Sequence, residues 1–188
     1  DDPRNPGIND GLGQGRLQYL RGNNAQEQKN GGPFRDRVSK LGDIVHSSPL
    51  FEGYDTDLDP EFEYGVLYVG ANDGMMHAFH ADTGVELFAY VPNLVFDELN
   101  QLTEPEPNFR HRYFVDLTPH VKNTGDPAIT GNHGKLLVSG LGKGGKGYFC
   151  LNVDDPLTMN EDTPTWVKWE YPNSSSTAAE INNMGYSY

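Results

Sequence analysis

Cysteine, long apolar runs and basic residues are all scarce in this sequence, and each scarcity excludes a class of protein or site. A single cysteine, Cys150, cannot form an internal disulfide or a paired-cysteine metal site. No run of about 18 apolar residues exists, so no membrane-spanning helix is expected. Fourteen Lys and Arg against 27 Asp and Glu give a net charge of −13. Such a charge disfavours nucleic acid and anionic membranes as partners, because both bind through cations.

Two features leave alternatives open. Cys150 lies between Phe149 and Leu151, where a buried and inert thiol is the common outcome. In an exported protein the same thiol could instead pair with a cysteine outside this segment. The sequence starts without a Met or a signal peptide, which indicates a processed chain or a fragment.

The glycine-rich stretch KLLVSGLGKGGKGYFCLNV (135–153) contains most of a phosphate-binding P-loop, so its context decides its meaning. A P-loop needs a hydroxyl residue directly after its lysine and a helix that starts there. Here Lys146 is followed by Gly147, and then by aromatic and β-branched residues that end in the turn-forming sequence DDP. The stretch therefore predicts a β-hairpin and not a nucleotide site.

An earlier stretch, GVLYVGANDGMMHAFHADTGVELFAYVPN (65–93), predicts three short strands at 66–70, 75–80 and 86–91. Asn-Asp-Gly and Asp-Thr-Gly separate these strands, and both triplets supply the positive-φ positions that tight turns require. A further strand candidate precedes them within GDIVHSSPLFEG (42–53).

A second unit repeats this order roughly 70 residues later. Its opening strand is predicted at 112–117, followed by strands at 136–139, at 147–153 and within TWVKWEYPN (165–173). Two four-strand units in succession predict an all-β fold, a β-propeller.

The predicted organisation is a strap followed by an incomplete propeller. The strap covers 1–40 and contains a short helix near 15–22, whereas the propeller covers 41–188. Its predicted parts are one blade at 42–93, a second at 110–173 and the first strand of a third at 182–188. Because propellers use about 4–8 blades, we expect the rest of a longer chain, or another chain, to complete the ring.

Three stretches resemble the PilY/PilC-type family of type IV pilus-tip adhesins and assembly factors, at the start of its C-terminal propeller. They are YLRGNNAQEQKNGGPFRDRVSKLGDIVHSSPLFEG (19–53), VLYVGANDGMMHAFHADTGVELFAYVPN (66–93) and HRYFVDLTPHVKN (111–123). The resemblance implies a bacterial surface protein at the pilus tip or outer membrane, which primes pilus assembly, opposes retraction and mediates adhesion. Its implied partners are minor pilins and a receptor on a host cell or an abiotic surface.

The VGANDG…HAF…TGVELF unit also resembles the repeat of pyrroloquinoline-quinone dehydrogenases, which is the main alternative. That family needs a quinone held between aromatic groups, a Ca²⁺, an Asp base and a disulfide between adjacent cysteines, and Cys150 has no neighbouring cysteine. A non-adhesive envelope scaffold would share the fold. Because no catalytic residue is identified, we do not expect an enzyme.

The acidic stretch GYDTDLDPEFEYG (53–65) is the candidate metal site. Five carboxylates alternate along it and could together bind calcium, a cation that prefers several oxygen ligands: Asp55, Asp57, Asp59, Glu61 and Glu63. Pro60 and Val66 occupy positions where an EF-hand loop has Gly and Glu, so the stretch is not an EF-hand. The resemblance implies calcium binding in the propeller, while an acidic surface loop is the alternative.

The remaining candidates are given structural interpretations. His77 and His80 have an odd spacing on a predicted strand, which places them on opposite faces and prevents them from binding one metal ion. His111 and His133 lie in predicted loops without evident partners.

The side chains of a hydrolase triad, Asp43, His46 and Ser47 or Ser48, also occur close together. They lack the G-x-S-x-G context of a nucleophile elbow, so they are assigned to strand entry and hydrogen bonding.

Overall fold

A computed structural model describes residues 10–54, 64–125, 134–162 and 164–186 of the chain. It contains eight strands in the described residues: β1 Leu50–Tyr54, β2 Tyr64–Gly70, β3 Met76–His80, β4 Glu86–Tyr90, β5 His120–Asn123, β6 Lys135–Gly140, β7 Tyr148–Asn152 and β8 Val167–Tyr171. Two α-helices, α1 Gly13–Leu20 and α2 Ala178–Asn183, lie near the ends of the described region. The 3₁₀ segments are Gln28–Asn30, Asn93–Thr103, Gly142–Gly144 and Pro164–Trp166. None of the helices in these residues has the length and apolar character that crossing a bilayer requires.

The strands form two separate antiparallel sheets in sequence order, β1-β2-β3-β4 and β5-β6-β7-β8. This is the pattern of consecutive propeller blades, and it confirms the predicted fold class. The turns of the first blade form where the Asx-Xaa-Gly triplets predict them. Their glycines have positive φ, +94° at Gly74 and +69° at Gly84, which other residues adopt only with strain.

The glycine-rich stretch forms the predicted hairpin of β6 and β7, in which Leu137 pairs with Leu151. Close packing, and not phosphate binding, explains one of its glycines. A Cβ on Gly144 would lie 1.9 Å from the carbonyl oxygen of Phe114, a separation that no side chain can occupy.

The predicted opening strand of the second blade, at 112–117, is wrong. The second blade opens with β5, and Phe114 and Val115 instead cross buried between the blades without strand pairing. The sequence shows why: VDLTP at 115–119 repeats VHSSP at 45–49, and in both copies the strand starts only after the proline.

The predicted first strand of a third blade is also absent from the described residues. Asn182 and Asn183 end α2, residues 184–186 form no strand, and 187–188 lie outside the described residues. A capping box explains the helix, because the Thr177 side chain accepts from the Glu180 amide while the Glu180 carboxylate accepts from the Thr177 amide.

One face of the first sheet packs against the second sheet, and the main core lies between them. Tyr68 and Met76 from the first blade and Phe149 from the second are wholly buried there. The Tyr54 hydroxyl donates to the Val153 carbonyl at 2.8 Å and lies 2.6 Å from the Tyr68 hydroxyl. The polar ends of these core tyrosines are therefore satisfied, as burial requires.

Nearer the outer strands, Tyr90 and Glu170 join the two blades. The Tyr90 hydroxyl donates to the Glu170 carboxylate, which also accepts from the Asn93 amide at 2.8 Å. Burial, followed by the nearby Glu170 charge, raises the pKa of Tyr90, so the phenol stays protonated and donating.

The strap packs on the 3₁₀ segment that follows the first blade. Its helix α1 agrees with the prediction near 15–22. The Tyr19 and Phe34 rings meet edge to face at 5.6 Å, and the Arg35 amide donates to the Thr103 carbonyl at 3.0 Å. The division of the chain at residue 40 remains a prediction.

Candidate functional site

The predicted calcium ligands, Asp55, Asp57, Asp59, Glu61 and Glu63, lie outside the described residues, so calcium binding by this stretch remains a prediction. Within the described ranges, no group of three or more His, Cys, Asp or Glu side chains could hold a metal ion. The ends of the acidic stretch are held together. Tyr54 and Tyr64 pair across the β1–β2 ladder, and their rings stack at 5.1 Å.

His77 has a structural role, as predicted. It is buried, with Nδ1 2.6 Å from Glu86 Oε1 and Nε2 3.1 Å from both oxygens of Asp73. Burial alone would lower its pKa, but hydrogen bonds to Asp73 and Glu86 outweigh burial and raise the pKa to about 9. His80 instead stacks on Tyr64 at 5.9 Å, so the two histidines bind no common ion.

Asp43, His46 and the two serines do not form a hydrolase triad, because each bonds to a residue outside this set. His46 Nδ1 lies 2.6 Å from Asp116 Oδ2, while Ser47 Oγ accepts from the Gly70 amide at 2.9 Å. The Ser48 amide donates to Thr118 Oγ1 at 2.9 Å. The His46 and Ser48 contacts join the segments that precede β1 and β5, and the Ser47 contact holds the first of these segments against β2, as the structural interpretation expects.

A second histidine–aspartate contact, between His111 and Asp43, also joins the segments that precede β1 and β5. His111 Nε2 lies 2.8 Å from Asp43 Oδ2, a partner that sequence spacing did not reveal. Burial alone would raise the pKa of Asp43, but hydrogen bonds from Asn72 and His111 outweigh it and lower the pKa. His133 lies outside the described residues.

The Cys150 thiol is buried in the second sheet, which agrees with the predicted buried cysteine. Burial raises its pKa, so the reactive thiolate is disfavoured.

A groove with a volume of about 560 Å³ lies between the strap and the first blade. One wall is the segment 35–43, and the opposite side is formed by the β2–β3 turn and the residues around 109–112. Its apolar lining comprises Tyr19, Leu20, Leu41, Leu102 and Phe109. Sequence reasoning missed this groove, because its lining comes from separate parts of the chain and follows no single motif.

Basic residues are concentrated at the groove although the chain is acidic. Four of the 14 Lys and Arg residues line it: Arg35, Arg37, Lys40 and Arg112. Arg37 is fully engaged, since its guanidinium donates to the Glu27 carboxylate and to the carbonyls of Tyr19 and Asn23. The other three, Arg35, Lys40 and Arg112, share the lining with the carboxylates of Asp36, Asp43 and Asp73.

Comparison with known proteins gives one consistent family. Residues 41–183 match the model of the PilY1 beta-propeller domain. The chain is 38% identical over 198 residues to the type IV pilus biogenesis factor PilY1 of Pseudomonas aeruginosa strain UCBPP-PA14, covering 95% of this chain and 16% of the relative. It is 35% identical over 188 residues to a PilY1 homolog of Xylella fastidiosa strain Temecula1, covering 90% of this chain and 14% of the relative. The chain thus spans less than a fifth of either relative. No solved structure shows significant similarity to it.

Proposed function

Because this chain belongs to the PilY1 family of type IV pilus biogenesis factors, we propose that its parent protein assembles type IV pili and acts at their tip as an adhesin. The observation that carries the proposal is 38% identity across 95% of the chain to a relative named for pilus biogenesis. Minor pilins are the proposed assembly partners. A receptor on a host cell or an abiotic surface is the proposed adhesive partner, and the bacterial surface is the proposed location.

The architecture supports an adhesive, non-enzymatic role. Blades of paired strands hold their connecting loops on a rigid scaffold, and such loops are where binding residues concentrate. Of the side chains that could have formed a hydrolase triad, His46 instead joins the two blades through Asp116, and Ser47 accepts from the Gly70 amide within the first blade. The net charge of −13 further favours a protein or surface receptor over nucleic acid or an anionic membrane.

The experiment is a deletion of the parent gene in its own bacterium. We expect few surface pili by electron microscopy, restored by the wild-type gene. In a strain that cannot retract its pili, we expect the deletion to retain pili but to attach poorly to surfaces, which separates adhesion from assembly. Unchanged pilus numbers in the deletion would contradict the assembly role, and unchanged attachment per pilus would contradict the adhesive role.

Calcium binding by the acidic stretch between β1 and β2 is the second part of this proposal. Two ordered strands hold the ends of the stretch together, and its five carboxylates fall within nine residues of sequence, 55–63. Their mutual repulsion would be relieved by a hard cation with several oxygen ligands.

Calorimetric titration of Ca²⁺ into the full-length protein tests this idea. We expect binding to weaken at least about tenfold when the five carboxylates become amides: Asp55→Asn, Asp57→Asn, Asp59→Asn, Glu61→Gln and Glu63→Gln. A control variant that neutralises exposed carboxylates elsewhere should bind Ca²⁺ like the wild type: Asp82→Asn, Asp97→Asn and Glu161→Gln. Equal affinity in the five-residue variant and the wild type would remove this stretch as the site.

A further inference from the structure

The groove between the strap and the first blade has the shape and chemistry of a peptide site. Its floor presents Leu20, Leu41 and Leu102, with Tyr19 and Phe109 beside them. An apolar floor with a few placed polar groups is the usual make-up of a binding cleft. A volume of about 560 Å³ accommodates several residues of an extended chain.

The wall formed by residues 38–41 offers backbone groups to a ligand. None of the amides and carbonyls of these four residues bonds to another residue in the described part of the chain. The flanking residues are anchored, since the Arg37 amide donates to Glu27 and the Gly42 amide donates to Asp73 at 2.7 Å. The Val38 side chain is wholly exposed at the rim. A held segment with unpaired backbone groups can add an extended peptide by strand-like hydrogen bonding.

Two cations at the groove, Lys40 and Arg112, remain accessible to a ligand. Lys40 has no partner among the described residues. Arg112 pairs at 2.8 Å with Glu98, but both side chains are about half exposed, so this contact is weak and exchangeable. The Arg35 guanidinium lies 3.9 Å above the centre of the Phe109 ring and uses its Nε to bond the Leu102 carbonyl.

The carboxylates that line the groove are already engaged. Asp36 accepts from the Lys29 amide at 2.8 Å, and Asp43 is bound by Asn72 and His111. Asp73 accepts from the Gly42 and Met75 amides and contacts His77. A ligand therefore meets carboxylates whose oxygens are already hydrogen-bonded and, in Lys40, a cation with no ion-pair partner among the described residues.

We propose that this groove binds an extended acidic peptide segment of a partner protein, with its apolar side chains on the leucine floor and its carboxylates at Lys40 and Arg112. Alternate residues of an extended chain point in opposite directions, so a sequence that alternates acidic and apolar residues fits both surfaces. The overall negative charge does not prevent this. Charges beyond about 8 Å are screened at physiological salt, and the nearest groups dominate.

The probe is the peptide Glu-Leu-Asp-Leu-Glu-Gly, labelled with fluorescein at its N-terminus and amidated at its C-terminus, titrated with the full-length protein and followed by fluorescence anisotropy. We expect it to bind about tenfold or more tightly than the same peptide with Gln and Asn in place of Glu and Asp, and to weaken with added salt. Equal affinity for the two peptides would overturn the proposal.

Charge reversal locates the site. We expect Lys40→Glu and Arg112→Glu each to weaken binding of the acidic peptide about fivefold or more. Lys168→Glu, an exposed residue of the outer strand β8 that does not line the groove, should have no effect. If Lys168→Glu weakens binding as much as the groove variants do, the attraction is general and the proposal fails.

A photo-crosslinking residue in place of Val38 provides a second measurement that needs no charge change. We expect it to crosslink to the acidic peptide, and absence of crosslinking at saturating peptide would also overturn the proposal. These binding experiments do not depend on the pilus role, so their failure leaves the proposed function standing.

Discussion

Phe149→Ala is expected to destabilise the paired blades by about 3–5 kcal/mol, the cost of emptying a large aromatic site in a packed core. Phe149 is wholly buried on β7, and its ring centre lies 5.3 Å from that of Tyr90 on β4. The substitution removes atoms from the boundary between the blades, so both sheets should open more readily. Hydrogen–deuterium exchange measures this as faster exchange of the amides of β2, β3 and β7.

Phe96→Ala is the matched control, because the Phe96 side chain is 51% exposed. A surface substitution of this kind should change stability by no more than about 0.5 kcal/mol. Faster exchange confined to the second sheet after Phe149→Ala would mean that the two blades do not share one core.

The blade architecture could be predicted from the sequence because its signals are local. Asn-Asp-Gly and Asp-Thr-Gly each determine a turn within a few residues, and alternating apolar residues determine the strands between the turns. Strands β2, β3 and β4 accordingly lie within one or two residues of their predicted bounds. The GKGGKG turn was assigned correctly for the same reason, since the residues that follow it are typical of a strand.

The sequence-based predictions fail where contacts between distant parts of the chain determine the local structure. Residues 114–115 are apolar enough for a strand, but they cross between the blades, and Gly144 lies against Phe114. Glu27 lies in the polar sequence NNAQEQKNGG (23–32), yet it is 1% exposed. Its partner Arg37 is ten residues away, a spacing that belongs to no recognised motif. The groove has the same origin, because it forms only when the strap meets the first blade.

The His46–Asp116 and His111–Asp43 contacts lie where the segments preceding β1 and β5 meet. Gly144 packs against Phe114 at the same place. Asp116 is almost fully buried and accepts from both the amide and the ring of His46. Lys143, in the β6–β7 turn, approaches the other ring nitrogen of His46 at 3.0 Å. The repeated Val-Xaa-Xaa-Ser/Thr-Pro sequence therefore serves to align successive blades as well as to precede their opening strands.

Glu27→Gln is expected to release the strap from its own folded conformation, because all of the Glu27 contacts lie within the strap, with a loss of about 3–5 kcal/mol in the free energy of its local opening. The Glu27 side chain is 2% exposed, and it accepts from the Arg37 guanidinium at 2.9 Å and pairs with Lys29 at 2.7 Å. Glutamine keeps the shape but removes the charge, which leaves the nearly buried Arg37 without its counter-ion. Hydrogen exchange of α1 and the Gln28–Asn30 segment measures the release.

The stability of the strap should also depend on pH, because Glu27 must be ionised to pair with Arg37 and Lys29. Burial alone would raise the pKa of Glu27, but hydrogen bonds from Lys29 and Arg37 outweigh burial and lower it from 4.5 to about 2. The stabilisation is therefore complete above pH 4.5 and is lost as the pH falls from 4.5 through 2. The wild-type strap should open progressively in that range, whereas the Glu27→Gln strap should already be open and change little.

Glu161→Gln is the control for loss of charge in an ion pair. Glu161 pairs with Arg21, but its side chain is 76% exposed, so the contact contributes at most about 1 kcal/mol. Arg21 directly follows α1, so both substitutions remove an ion pair of the strap, one exposed and reaching the segment before β8, the other buried within the strap. Equal effects of the two substitutions on exchange in α1 would show that burial of Glu27 contributes nothing to the stability of the folded strap.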